Sequence, residues 1–92
     1  MAGTPQHVTL VANTVATVTF DADFNSAEIT NVDGAASVYF TTNGATPAVS
    51  ATGTHVVTAG SGAFLQVDVA GGGVTVVKLI SVGAPKVSVR AW

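Results

Sequence analysis

The sequence contains no cysteine. That excludes disulfides, thiolate nucleophiles and cysteine-ligated zinc, so a chain this short must draw its stability from packing or from a partner. Charge is almost as scarce: Lys, Arg, Asp and Glu make up 9% of the chain, where a typical soluble domain carries roughly 25%. The three basic residues, Lys78, Lys86 and Arg90, are too few for an electrostatic footprint on nucleic acid. No basic amphipathic helix suits a membrane surface, and no apolar run approaches the ~20 residues of a membrane span. The opening MAGTPQHV has no charged segment and no apolar core, so no signal peptide is expected.

What the chain does have is Val, Ala, Thr and Gly. Hydrophobic residues reach 48% over 92 residues, enough for the core of one domain and too short for two. The β-branched Val and Thr favour strands over helices. Period-2 alternation recurs along the chain, bounded by Gly, Asn, Asp and Pro. It predicts about eight short strands, at 7–11, 15–20, 27–32, 36–42, 54–58, 63–69, 74–80 and 86–92. No stretch shows helical periodicity. The expected fold is a single small antiparallel β-sandwich over residues 7–92, immunoglobulin-like, with residues 1–6 as a flexible arm.

Two local signals sharpen this picture. Asp33-Gly34 lies between alternating runs, the pattern of a type I′ hairpin, and predicts that the third and fourth strands pair antiparallel. In VYFTTNGATPAV (38–49) a strand reaches Asn43-Gly44, after which Pro47 cannot donate to a ladder. That predicts a stiffened loop or sheet edge over 43–53. Alternation also sorts the aromatics: Phe20 and Phe40 fall on apolar faces, whereas Tyr39 and Phe64 fall on polar ones.

The residues that could carry chemistry are few. His7 and His55 begin separate strands and have neither a third histidine nor an HExxH spacing, so both read as half-exposed strand residues. DADFNS (21–26) opens like a calcium loop, but Ser26 stands where Gly is needed and Val32 where a bidentate carboxylate is needed. It reads as a solvated turn whose Asp and Asn side chains cap local amides. Nothing places two carboxylates across a cleft for glycoside hydrolysis. Gly71-Gly72-Gly73 precedes a strand rather than the helix N-terminus that binds phosphate. No enzymatic activity, cofactor or metal is expected. The sparse charge instead suits a surface that stays docked against neighbours. Trp92, following Arg90 at the chain end, could cover a sheet end or anchor a partner, since Trp and Arg dominate interface hot spots.

Two stretches carry a resemblance. EITNVDGAASVYFTTNGATPAV (28–49) and VTVVKLISVGAPKVSV (74–89) are similar to segments of small β-rich virion proteins of tailed bacteriophages that infect actinobacteria. Together they cover somewhat under half of the chain, and their motifs are strand and turn signatures. The resemblance implies a capsid decoration protein or a related head or tail accessory protein. Its location would be the virion, on the capsid surface, and its partners the major capsid protein and itself, as a homotrimer. The interface expected on this reading comprises Thr4, Pro5, Gln6 and His7 of the arm, Asn43 and Pro47 of the loop, and Arg90 and Trp92 at the end. VYFTTNGATP is also similar to a strand-turn of immunoglobulin-like modules attached to carbohydrate-active enzymes. The alternatives are therefore a carbohydrate- or cell-surface-binding module on a tail or fibre, presenting Tyr39 and Phe64 as an exposed pair, or a tail or connector component.

Overall fold

The computed structural model describes residues 5–20, 24–42, 45–49, 54–69 and 75–92. Within them the chain forms eight strands and no helix: β1 (Gln6–Thr9), β2 (Ala16–Phe20), β3 (Ser26–Asn31), β4 (Val38–Thr41), β5 (His55–Val57), β6 (Ala63–Asp68), β7 (Thr75–Ile80) and β8 (Lys86–Ala91). Each lies within the run that its alternation marks, save that β1 takes in Gln6, paired with Val89, and β3 takes in Ser26. The sheet thus begins at Gln6, the last residue of the expected arm. The strands make two four-stranded antiparallel sheets, ordered β1-β8-β3-β6 and β2-β7-β4-β5.

This is the expected all-β sandwich, but its connectivity is not immunoglobulin-like. In the immunoglobulin order the first two strands share a sheet. Here β1 and β2 lie in different sheets, and so does every later consecutive pair except β4 and β5. Strands that alternate between two four-stranded sheets in this order make a jelly roll.

The predicted β3–β4 hairpin is also corrected. β3 pairs with β6 and β8, whereas β4 pairs with β5 and β7. Asp33-Gly34 is therefore the crossing between sheets. A type I′ turn needs positive φ at both residues, and only Gly34 has it, at 69°. The Asp33 carboxylate does different work, accepting hydrogen bonds from the backbone N–H of Ala35 and of Lys86. The true β4–β5 pair is closed by the long Pro-containing connection that begins with the Asn43-Gly44 signal, a dipeptide outside the described residues.

Alternation puts one side of every strand between the sheets. β3 buries Ala27 and Ile29, β8 buries Val87, Val89 and Ala91, β7 buries Val77 and Leu79, and β4 buries Val38 and Phe40. Phe20 closes one region of this core edge-on against Phe24, with ring centroids 6.0 Å apart. Each of the Val, Leu, Ile and Phe side chains contributes about 1.5–3 kcal/mol on burial. The one ion pair among the described residues, Glu28 with the half-exposed Arg90, contributes less than about 1 kcal/mol. Packing, not charge, holds the two sheets together.

Two of the buried polar residues, Asn31 and Ser81, sit where the chain changes sheets. Asn31 is fully buried at the end of β3. Its Nδ2 donates to the carbonyls of Ala36 (2.8 Å) and Thr58 (3.3 Å), and its Oδ1 accepts from the Gly34 N–H (3.1 Å). One side chain thereby joins the β3–β4 and β5–β6 connections. At the same end Ser81 donates to the Ser37 carbonyl (2.7 Å), and its own carbonyl accepts from Asn13 N–H (2.7 Å). Asn13 turns the chain between β1 and β2 with φ 58°, a conformation that Asn tolerates.

Replacing Asn31 with Ala leaves three backbone groups without their partner. The expected loss is about 3 kcal/mol, read as a lower midpoint in urea denaturation with an unchanged slope. A Gly34→Ala chain should lose at least as much, because the added methyl meets the backbone of Gly60 and Ser61 at a positive φ. A midpoint within error of the parent for Asn31→Ala would remove this residue from its role as a clamp.

Candidate functional site

Cross-strand register sorts the outer face of the β1-β8-β3-β6 sheet into rows. One row runs His7, Ser88, Thr30, Phe64. The next brings Arg90, Glu28 and Gln66 side by side. A third sets Trp92 opposite Ser26, held by reciprocal backbone hydrogen bonds of 3.0 Å, with Asp68 opposite Ser26 on β6. These three rows hold Glu28, Arg90 and Asp68, together with the exposed aromatics Phe64 and Trp92.

The middle row is an ordered polar network. Glu28 Oε1 accepts from Arg90 Nε at 3.0 Å, and Glu28 Oε2 accepts from Gln66 Nε2 at 2.8 Å. Arg90 also lies over the indole of Trp92, with Cζ 4.8 Å from the ring centroid, a cation–π arrangement. The guanidinium is therefore fixed from two sides. Directly opposite residues in an antiparallel pair stand about 5 Å apart, which is why Glu28 reaches both neighbours without bending its strand.

The third row alternates large, small, large. Ser26 stands between the indole of Trp92 and the carboxylate of Asp68, so the sheet dips there. The resulting open depression, about 230 Å³, is lined by Ser26, Gln66, Val67, Asp68 and Trp92.

The expected interface residues divide on this frame. Pro5, Gln6 and His7 are exposed at the start of β1, an edge strand, and Arg90 and Trp92 end the neighbouring β8. These five come together. Pro47 does not join them as a contact: its ring is fully buried, since the 45–49 segment folds back through the hydrogen bond from Thr41 Oγ1 to the Ala45 carbonyl. Thr4 and Asn43 lie outside the described residues. Gln66, Asp68 and Ser26 were missed, because only the β3–β8 and β3–β6 registers together bring them beside Trp92.

Other candidate chemistry disperses. Tyr39 and Phe64 are on different sheets, with outer faces that point in opposite directions, so they make no pair. His55, on β5, stacks against Phe40 with ring centroids 5.2 Å apart, and His7 is in the other sheet. Asp21 and Asp23 of the half calcium motif lie outside the described residues. Among the described residues no group of three His, Asp or Glu side chains could hold a metal ion.

No protein-family model, curated protein or solved structure matches this chain.

The network is polar and largely open to water, so charge contributes little to it. Arg90→Met should change unfolding free energy by less than about 1 kcal/mol, measured by denaturant titration. It should also alter the emission of Trp92, the single tryptophan, by removing the cation over its ring. An unchanged emission spectrum would show that the stack is not held in solution.

Proposed function

We propose that this chain is a non-enzymatic structural protein of a phage virion. On this reading it decorates the outside of the capsid as a homotrimer bound to the major capsid protein. The observation that carries the reading is the exposed Arg90–Trp92 end beside β1, an edge strand among the described residues. Trp and Arg are the residues most enriched at interface hot spots, and an edge strand offers unpaired backbone groups to a partner. The low charge adds support, since a surface that stays covered needs little of it. The virion, the shell partner and the trimer come from the resemblance of segments 28–49 and 74–89. By fold analogy alone, jelly rolls recur in viral capsid proteins and in lectins.

The mechanism is mechanical. A standard-size interface covers about 1,600 Å². Its net gain per copy is well below the simple area product, because association entropy opposes it. Repetition over a shell lattice would make even a modest gain count. The rival carbohydrate-binding reading, in its Tyr39–Phe64 form, loses support because the two rings face away from each other.

The test is the copy number of the chain against the major capsid protein in purified virions. A ratio near one, or a simple fraction of it, is expected. A handful of copies per particle would move the chain to the tail or connector, and absence would end the virion reading. Trp92→Ala should weaken binding to undecorated shells at least about tenfold while leaving far-ultraviolet circular dichroism unchanged. Undiminished binding would take Trp92 out of the interface.

A further inference from the structure

The depression beside Trp92 has a chemistry of its own, independent of any shell. Its walls are the indole of Trp92 and the carboxylate of Asp68, its floor is Ser26, and Gln66 borders it on the side of the polar network. The strands carrying the two walls, β8 and β6, are separated by β3 alone, roughly 10 Å between backbones. That gap, less the two side chains, admits one small ring.

The groups facing the gap select its occupant. The indole offers a flat apolar face. Asp68 offers acceptor oxygens, and no ion pair among the described residues engages them. Ser26 can donate and accept, and Gln66 keeps an amide oxygen and one N–H beyond the hydrogen bond it gives Glu28. Anions are disfavoured, because Glu28 and Asp68 outnumber Arg90 around the site. Cations are disfavoured too, because the Arg90 guanidinium already lies over the indole at 4.8 Å and repels a second one. A neutral ring with one apolar face and several hydroxyls at its rim satisfies every group. We infer that the depression formed by Trp92, Ser26, Asp68 and Gln66 is a binding site for a single neutral pyranose ring. The ring stacks on the indole face opposite the Arg90 guanidinium, and its hydroxyls are held by Asp68 and Gln66.

The geometry also sets a limit. Phe64 is on the same outer face, two rows along and two strands across from Trp92, roughly 16 Å away by strand rise and spacing. It lies beyond the reach of one ring, which makes it an internal control.

Trp92 is the single tryptophan, so its fluorescence reports this wall alone. The isolated full-length protein is titrated with methyl α-glucopyranoside, methyl α-galactopyranoside, methyl α-mannopyranoside and N-acetylglucosamine, and with choline as a cationic control. At least one pyranoside is expected to give a saturable change with a midpoint in the millimolar range. Asp68→Asn and Gln66→Ala should each weaken it at least about fivefold, and Phe64→Ala should leave it unchanged. Asp68 and Gln66 are exposed on an edge strand, so these variants keep the fold. Four non-saturating titrations would overturn the assignment. So would a saturable change that both variants leave intact, or saturation by choline alone. No shell enters this experiment, so its outcome is independent of the decoration reading.

Discussion

The sandwich depends on one buried amide. The Asn31 side chain binds the carbonyls of Ala36 and Thr58 and the N–H of Gly34. These groups belong to the two connections that carry the chain between sheets on either side of the β4–β5 pair. A jelly roll changes sheets at nearly every connection, and each change leaves backbone groups outside both ladders. When such a connection is covered, its polar groups must find partners or pay the desolvation cost. Asn31 supplies three of those partners from a single position, and its own backbone carbonyl accepts a fourth bond, from Gly62 N–H at 2.8 Å. The Val-rich core presses the sheets together, but it does not select which loop crosses where. The amide does.

From that constraint the outer face of the β1-β8-β3-β6 sheet follows. With β3 fixed at one end by Asn31, its outward residues Ser26, Glu28 and Thr30 are set in register with β8 on one side and β6 on the other. Glu28 then has Arg90 and Gln66 as immediate neighbours, and Ser26 leaves the dip between Trp92 and Asp68. The opposite sheet presents a different surface, with Tyr39, Ile80 and Val56 in one cross-strand row. The first face carries the Arg90–Glu28–Gln66 network, whereas the second mixes these apolar side chains with Thr17, Thr19 and Lys78.

The decoration reading and the pyranose site use Trp92 differently. In the first the indole is an anchor beside the β1 edge. In the second it is a wall of the neighbouring dip. Arg90 stands between these uses, because it lies over the ring and pairs with Glu28 at the same time. Its position sets how much of the indole either partner can reach.

Much of the architecture was legible from composition and spacing. Period-2 alternation in stretches such as AFLQVDV and KVSVRAW determined eight strands and the residues they bury, because one face of each must leave water whatever the strand order. The scarcity of charge and the lack of cysteine limited the chemistry in the same local way. What tertiary structure alone decided was pairing. Asp33-Gly34 has the local signature of a hairpin, yet the chain uses it to cross between sheets, and β3 pairs with β6 and β8 instead of the strand that follows. Pro47 carried the signal of a stiffened loop or sheet edge, and only the fold decided that its ring is covered. The contacts of Ser26 with Trp92, Glu28 with Arg90 and Gln66 with Glu28 span 66, 62 and 38 residues of sequence. Such contacts depend on non-local register, which no short window of sequence encodes.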